Sequence, residues 1–231
     1  MLPLPENQNG ILYLVSTPIG NLEDMTLRAI KILQTVDLIA AEDTRHTKPL
    51  LVHFGISRPL TSYHDYNKEK KVAALIADLN AGKKIALVSD AGTPGISDPG
   101  YHLIQEALKQ NIPVIPIPGA CAITCGLAAS GLSTDRFIFE GFLPHKSGAR
   151  RNRLTFFKGE ERTIIFYESP YRIRSCLEDI LEVLGDIPCV IGRELTKKFE
   201  EFIRGPVSLI LSQLNKTLVR GELVLMISQK S

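Results

Sequence analysis

Long apolar runs are missing from these 231 residues, and so is any strong excess of one charge. No apolar stretch reaches the roughly 18 residues of a membrane-crossing helix, so a membrane-embedded protein is not expected. Met1-Leu2-Pro3-Leu4-Pro5-Glu6 has no cationic segment followed by an apolar core; no secretory leader is expected there, and a cytoplasmic location is. Lys and Arg number 27 against 25 Asp and Glu, a net charge of +2, so any attraction for a polyanion must come from a local cluster. Cysteine is scarce. Four of them in a chain of this size do not make a disulfide framework. Cys121 and Cys125 would share one helix face, but without a second pair or a histidine at ligand spacing they do not predict zinc. Cys125, Cys176 and Cys189 read as core residues. Two phosphate-handling signatures are absent as well: G-x-x-x-x-G-K-[ST], and G-x-G-x-x-G after a strand. Nucleoside triphosphates and nicotinamide dinucleotides are therefore not the expected ligands.

What is present is ordinary globular material, 44% hydrophobic and 23% charged, enough for one large or two small domains. The chain is organised around Val88-Ser89-Asp90-Ala91-Gly92-Thr93-Pro94-Gly95-Ile96-Ser97-Asp98-Pro99-Gly100. It follows the apolar run Ile85–Val88, read as a buried strand, and precedes a helical pattern over Tyr101–Leu108. Asp98 is the expected N-cap of that helix, with Pro99 at its first position. That accounts for both residues and leaves Asp90 unexplained.

The same alternation runs through the first half. Strands are expected at Ile11–Val15, Leu38–Ala41, Pro59–Ser62 and Pro113–Ile117. Helices are expected at Glu23–Thr35, through Leu50 and Phe54 to Gly55, at Lys68–Asn80 and at Gly119–Ser130. This predicts a parallel sheet with crossover helices. After Gly131-Leu132-Ser133-Thr134 helices become fewer per strand, which predicts a mixed sheet. The expected organisation is two α/β domains, 1–133 and 134–231.

Four turns directly follow expected strands: Pro18-Ile19-Gly20-Asn21, Glu42-Asp43-Thr44-Arg45, Asp90-Ala91-Gly92-Thr93 and Pro118-Gly119-Ala120-Cys121. In a parallel sheet they meet on one edge and can line one crevice. Small residues for close approach, backbone groups for a base and acceptors for a cation suit a nucleoside-like cofactor without phosphates, such as S-adenosylmethionine. A second signal is basic. His145, Lys146, Arg150, Arg151, Arg153 and Lys158 lie between Pro144 and Lys158 with no acidic residue among them. Lys146, Arg150 and Arg153 recur at spacings of four and three, predicting one positive stripe on a helix. Arg172 and Arg174 follow the next strand end. Such a cluster suits RNA phosphates, and Tyr63, Tyr66, Tyr101 and Tyr171 are available to stack on bases. A solvated helix face would use the same residues.

Three of these motifs, Val15–Leu27, Val88–Gly100 and Pro116–Ala122, resemble the tetrapyrrole methylase superfamily. Ala41-Glu-Asp-Thr-Arg45, Leu143-Pro-His-Lys-Ser-Gly148, Tyr167-Glu-Ser-Pro170 and Arg193-Glu-Leu-Thr-Lys197 resemble its ribosomal RNA branch, the cytidine 2′-O-methyltransferases of the small-subunit (16S) rRNA. The resemblance spans nearly the whole chain. It implies a homodimeric two-domain enzyme with S-adenosylmethionine in the interdomain cleft. By motif position it assigns Pro18, Ile19, Gly20, Asp90, Ala91, Gly92, Thr93, Ile96, Cys121, Ala122, Tyr167 and Glu168 to the cofactor. The family's Gly-Asp-Pro is Ser89-Asp90-Ala91 here. The aspartate is kept while its neighbours depart from the porphyrin-modifying pattern.

A ribose hydroxyl is a poor nucleophile at neutral pH, so a proton acceptor would help; Asp43, Glu168 and Glu194 are the candidates. Arg45, Lys146, Arg150, Arg151, Arg153 and Arg172 are the expected RNA contacts. No metal is required. Three rival readings use the same residues: a tetrapyrrole carbon methylase, a metal-assisted phosphohydrolase built on Glu42, Asp90 and Asp98, and a noncatalytic RNA-binding module.

Overall fold

The computed structural model describes residues 10–64, 68–214 and 220–230, arranged in two compact units, 1–121 and 122–231. The first alternates strand and helix: β1 (Ile11–Val15), α1 (Leu27–Thr35), β2 (Leu38–Ala41), α2 (Thr44–His53), β3 (Leu60–Ser62), α3 (Lys68–Asn80), β4 (Lys84–Val88), α4 (Tyr101–Lys109) and β5 (Val114–Ile117). All five strands are parallel, in the order β3-β2-β4-β1-β5. Alternate side chains take opposite faces, because the side-chain period of a strand is two. Tyr13, Val15, Ile39, Ala41, Ala86 and Val88 pack with residues of α1 and α2. Leu12, Ala40, Ile85 and Leu87 pack with residues of α3 and α4. Both faces are covered, which is why these strands read as apolar runs. The strand order runs outward from β1 to β3 and then returns to the centre at β4. This reversal puts the ends of β1 and β4 side by side at the point where open α/β sheets form a crevice.

The second unit contains α5 (Ala122–Ser130), β6 (Phe137–Phe142), α6 (Ser147–Thr155), β7 (Thr163–Glu168), α7 (Ile173–Leu184), β8 (Pro188–Arg193), β9 (Glu201–Pro206), α8 (Val207–Leu214) and β10 (Leu223–Ile227). Its sheet order is β6-β7-β10-β8-β9. The β6–β7 pair is parallel and the remaining pairs are antiparallel, giving the mixed sheet expected. One face is covered by α6, α7 and α8 through Leu154, Cys176, Leu177, Ile180, Val207 and Ile210. On the other lies α5, where Gly126 comes so close that an added Cβ would meet Met226 and Val224 at 3.4 Å. That packing makes α5 part of the second unit, so the division falls twelve residues before the expected boundary at 133.

Three local expectations are corrected. The helix expected from Glu23 is a single 3-10 turn, Leu22–Asp24, followed by α1, whose cap is Thr26 with its Oγ1 accepting from Ala29 N–H at 3.1 Å. Asp98 does not cap α4. Gly100 does, with no side-chain cap bond, and Asp98 lies half-buried two residues before it. Cys121 precedes α5, and Cys125 is only half-buried, whereas Cys176 and Cys189 are core residues with thiols pushed up by burial, Cys189 to about 12. No described helix is long and apolar enough to cross a membrane. Tyr66 and residues 1–9 lie outside the described residues.

Candidate active site at the edge of the parallel sheet

The four turns meet as expected on the carboxyl edge of the parallel sheet, and hydrogen bonds tie them together. Thr17 and Gly92 exchange both backbone bonds, N–H to O at 2.9 and 3.1 Å, so the β1 and β4 turns are joined by an isolated bridge. Gly92 holds φ +82° there, a left-handed conformation that disfavours any side chain. Thr17 Oγ1 donates to the Ser89 carbonyl at 3.2 Å. Thr93 Oγ1 lies 3.0 Å from Ser16 Oγ and 3.4 Å from the Ala120 carbonyl, connecting three strand ends. On the other side Asp43 N–H donates to Asp90 Oδ1 at 3.1 Å, and Asp90 N–H to Glu42 Oε2 at 3.3 Å.

Pro18, Ile19 and Gly92 are buried and Asp90, Thr93 and Cys121 half-buried, while Gly20, Ala91 and Ile96 face solvent. Ala122 opens α5 and is half-buried. Asp98 has the residue type expected of a cap but a different use. Its carboxyl is pushed up to about 6, chiefly by burial and further by the negative charges of Glu42 and Asp90, although a hydrogen bond from Ser89 opposes the shift. Three carboxylates thus share the β2 and β4 ends. This concentration of negative charge is suited to a cation and would repel a phosphate. Among the described residues no group of three or more His, Cys, Asp or Glu side chains is arranged to hold a metal ion, so Glu42, Asp90 and Asp98 do not form the donor set the phosphohydrolase reading needs.

A family model described as tetrapyrrole (corrin/porphyrin) methylases matches residues 11–210. The chain belongs to this family. The methylase is 54% identical over 220 residues to a Synechocystis protein named "Ribosomal RNA small subunit methyltransferase I", covering 95% of this chain and 79% of that one. A Thermotoga maritima protein of the same name is 48% identical over 221 residues, covering 96% and 99%. Among solved structures, a diphthine synthase superposes with a TM-score of 0.75 at 13% identity, covering 95% of this chain and 90% of that one. Cobalt precorrin-4 methyltransferase gives 0.68 at 16%, covering 94% of each. At such identities these two establish the fold alone.

The three candidate bases of the methylase are each held by a cation. Asp43 caps α2, accepting from Arg45 N–H at 2.8 Å, and receives the Arg45 guanidinium at 2.7 Å. Those bonds hold its carboxyl down at about 2. Glu194 accepts from Lys197 Nζ and Glu222 N–H, both at 2.9 Å, and is likewise held low. These bonds fix the turn after β8, where Glu194 takes φ +50°. Glu168 is buried at the end of β7; its Oε1 accepts from Ser169 N–H at 2.7 Å, and Arg172 Nη2 stands 3.3 Å from Oε2. Tyr167, half-buried, has its ring against Phe139 and Phe142.

The basic stripe is not a stripe. Arg150 points inward, its side chain 3% exposed, with Nε donating to Asp179 at 2.6 Å. Lys146, at the head of α6, is exposed, but Arg150 one turn on faces the α6–α7 seam. Arg151 pairs with Glu182, and Arg153 with Glu140 at 2.8 Å. Arg172 spends its guanidinium on the Leu143 and Pro144 carbonyls and His145 Nδ1. Arg45 remains 90% exposed in its side chain, though neutralised by Asp43. All these acidic partners lie outside the basic stretch in sequence, so spacing within it carried no sign of them. Of the tyrosines singled out for stacking, Tyr63 is core, whereas Tyr101 and Tyr171 are exposed.

Proposed function

We propose that this chain is an S-adenosylmethionine-dependent methyltransferase that modifies a cytidine ribose 2′-oxygen in the 16S rRNA of the small ribosomal subunit. The observation that carries the reading is the shared name of relatives 48–54% identical over about 95% of the chain. The residues at the sheet edge fit the cofactor. The crowded carboxylates Glu42, Asp90 and Asp98 favour a sulfonium cation, and the left-handed Gly92 turn leaves backbone close to a bound nucleoside. When bound, the cofactor supplies an electrophilic methyl group whose transfer needs no metal.

The chain's own contribution is position and charge. Pro18, Ile19, Asp90, Thr93 and Cys121, all of the first unit, hold the cofactor in this reading. Asp43 and Glu194, whose carboxyls are held below their ordinary range by Arg45 and Lys197, fix local structure in this reading. Lys146 and Arg45 supply RNA contacts on the surface, while Arg150 and Arg172 act from inside. A cytoplasmic homodimer belongs to the same reading, and sedimentation at enzyme-assay concentrations tests the dimer.

The decisive experiment incubates the protein with tritiated methyl donor and small subunits lacking the modification, then maps the labelled nucleoside. Label in 2′-O-methylcytidine is expected. Label on a base carbon, or none, refutes the assignment.

A further inference from the structure

The second unit carries an aromatic cluster whose exposed member, Phe142, is not among the residues assigned to the cofactor. In a regular strand Phe139 and Phe142, three apart, would point to opposite sides of the sheet. Here the β6–β7 register slips by one residue between Phe139 and Gly141, a bulge in which Gly141 takes φ +77°. The extra residue turns Phe142 onto the same side as Phe139, and both rings meet Tyr167, at centroid distances of 5.7 and 4.9 Å. Phe142 thereby rests against the Tyr167 ring, yet remains 58% exposed.

The next turn is equally fixed. Leu143 is buried, and the Arg172 guanidinium donates to the Leu143 carbonyl at 2.7 Å and the Pro144 carbonyl at 3.2 Å, fastening the turn after β6 to the turn after β7. Because β6 and β7 are parallel, both turns lie on one edge. The fastened turns present His145 and Lys146, both exposed, and Tyr171, which is 94% exposed. Arginine only donates, so His145 Nδ1 accepts from Arg172 and the ring proton sits on Nε2. Carboxylates on the flanking strands do not cancel the local positive charge, since Glu140 is paired with Arg153 and Glu168 with Arg172. Among the described residues Lys146 has no carboxylate partner.

We propose that this edge reads unpaired RNA: Phe142 stacks on a splayed base while Lys146 and the His145 Nε2–H meet the adjoining phosphates, with Arg172 as the positioning residue. This rests on the ribosomal RNA reading above and adds to it the single-stranded character of the target and the residue that grips its base. Rigid aromatics beside cations are the standard means of holding single strands, whose unstacked bases offer a free π-face.

The test measures KM for undermodified small subunits and, separately, the affinity for a short single-stranded cytidine-rich oligoribonucleotide. Phe142→Ala should raise KM and weaken oligonucleotide binding by roughly five- to a hundredfold, the worth of one base stack, and leave methyl-donor affinity unchanged. Phe142→Tyr should restore both, while Phe142→Leu, which keeps apolar bulk without a flat face, should not. Lys146→Ala should flatten the log Kd against log salt slope by about 0.7. Unchanged KM and oligonucleotide affinity in Phe142→Ala overturn the proposal, as does conversion of that variant to a smaller oligomer, which would make the face a contact between copies. Wild-type protein that binds the oligonucleotide through Phe142 but methylates no subunit leaves this inference standing and removes the ribosomal one.

Discussion

Replacing Arg150 by Ala separates a structural arginine from a surface one. Arg150 and Lys146 lie one turn apart in the same basic segment, and sequence periodicity gives them the same role. In the fold Arg150 donates to Asp179 Oδ2 at 2.6 Å and to the His145 and Ser175 carbonyls at 3.3 Å, with both side chains of the ion pair less than a tenth exposed. Removing one partner of a buried pair costs about 3–5 kcal/mol, because the other charge stays behind undercompensated. Asp179 keeps the Ser147 hydroxyl at 2.8 Å and Arg151 Nε at 3.6 Å, so the loss belongs at the low end, about 3 kcal/mol. With urea slopes of roughly 1–3 kcal/mol per molar, the unfolding midpoint should fall by about 1–3 M. Lys146→Ala, at an exposed position, should change stability by no more than about 0.5 kcal/mol. The double variant Arg150→Met/Asp179→Leu should recover most of the loss, since an apolar pair of similar volume replaces a buried ion pair at little cost. Urea unfolding followed by circular dichroism measures all three. Equal midpoints for Arg150→Ala and Lys146→Ala would refute the reasoning.

Asp98 gives a pH prediction. Its carboxyl titrates at about 6 in the fold against 3.8 for the ordinary group, so the native state holds the proton more tightly. Stability is therefore unaffected below the lower value, falls as pH rises between the two, and bears the full penalty above about 6. Allowing for solvent at this partly exposed group, Asp98→Asn should stabilise the protein by about 1 kcal/mol at pH 7.5 and by nothing at pH 3.5; stabilisation of equal size at both values would contradict the assignment. A cationic ligand beside Asp98 should bind more tightly as pH rises through 6, a dependence that calorimetry should find weakened in the variant. Asp43→Asn should retain the helix cap, because Asn caps as well as Asp, and should leave the pH profile of methyl transfer unaltered above pH 5. A hundredfold or greater loss in kcat in a folded Asp43→Asn protein would restore Asp43 as the proton acceptor.

The chain's local patterns determined the elements and the way the first sheet is wound. Apolar runs such as Ile85–Val88, bounded by turn residues, read as strands covered on both faces, and glycine-rich turns after them fall on one edge of a parallel sheet. The motif order likewise carried the family. What the sequence could not decide was where individual side chains spend their charge. Asp98 looked like a cap and is a half-buried carboxyl; Arg150 and Arg172 looked like RNA contacts and are internal clamps, because their partners Asp179 and Leu143 lie 29 residues away. No local pattern marks Phe142, because only the bulge at Gly141 turns it onto the face of Tyr167. Periodicity records which face a residue occupies along its own element, whereas pairing depends on what another element brings opposite, and that is settled only when the elements pack.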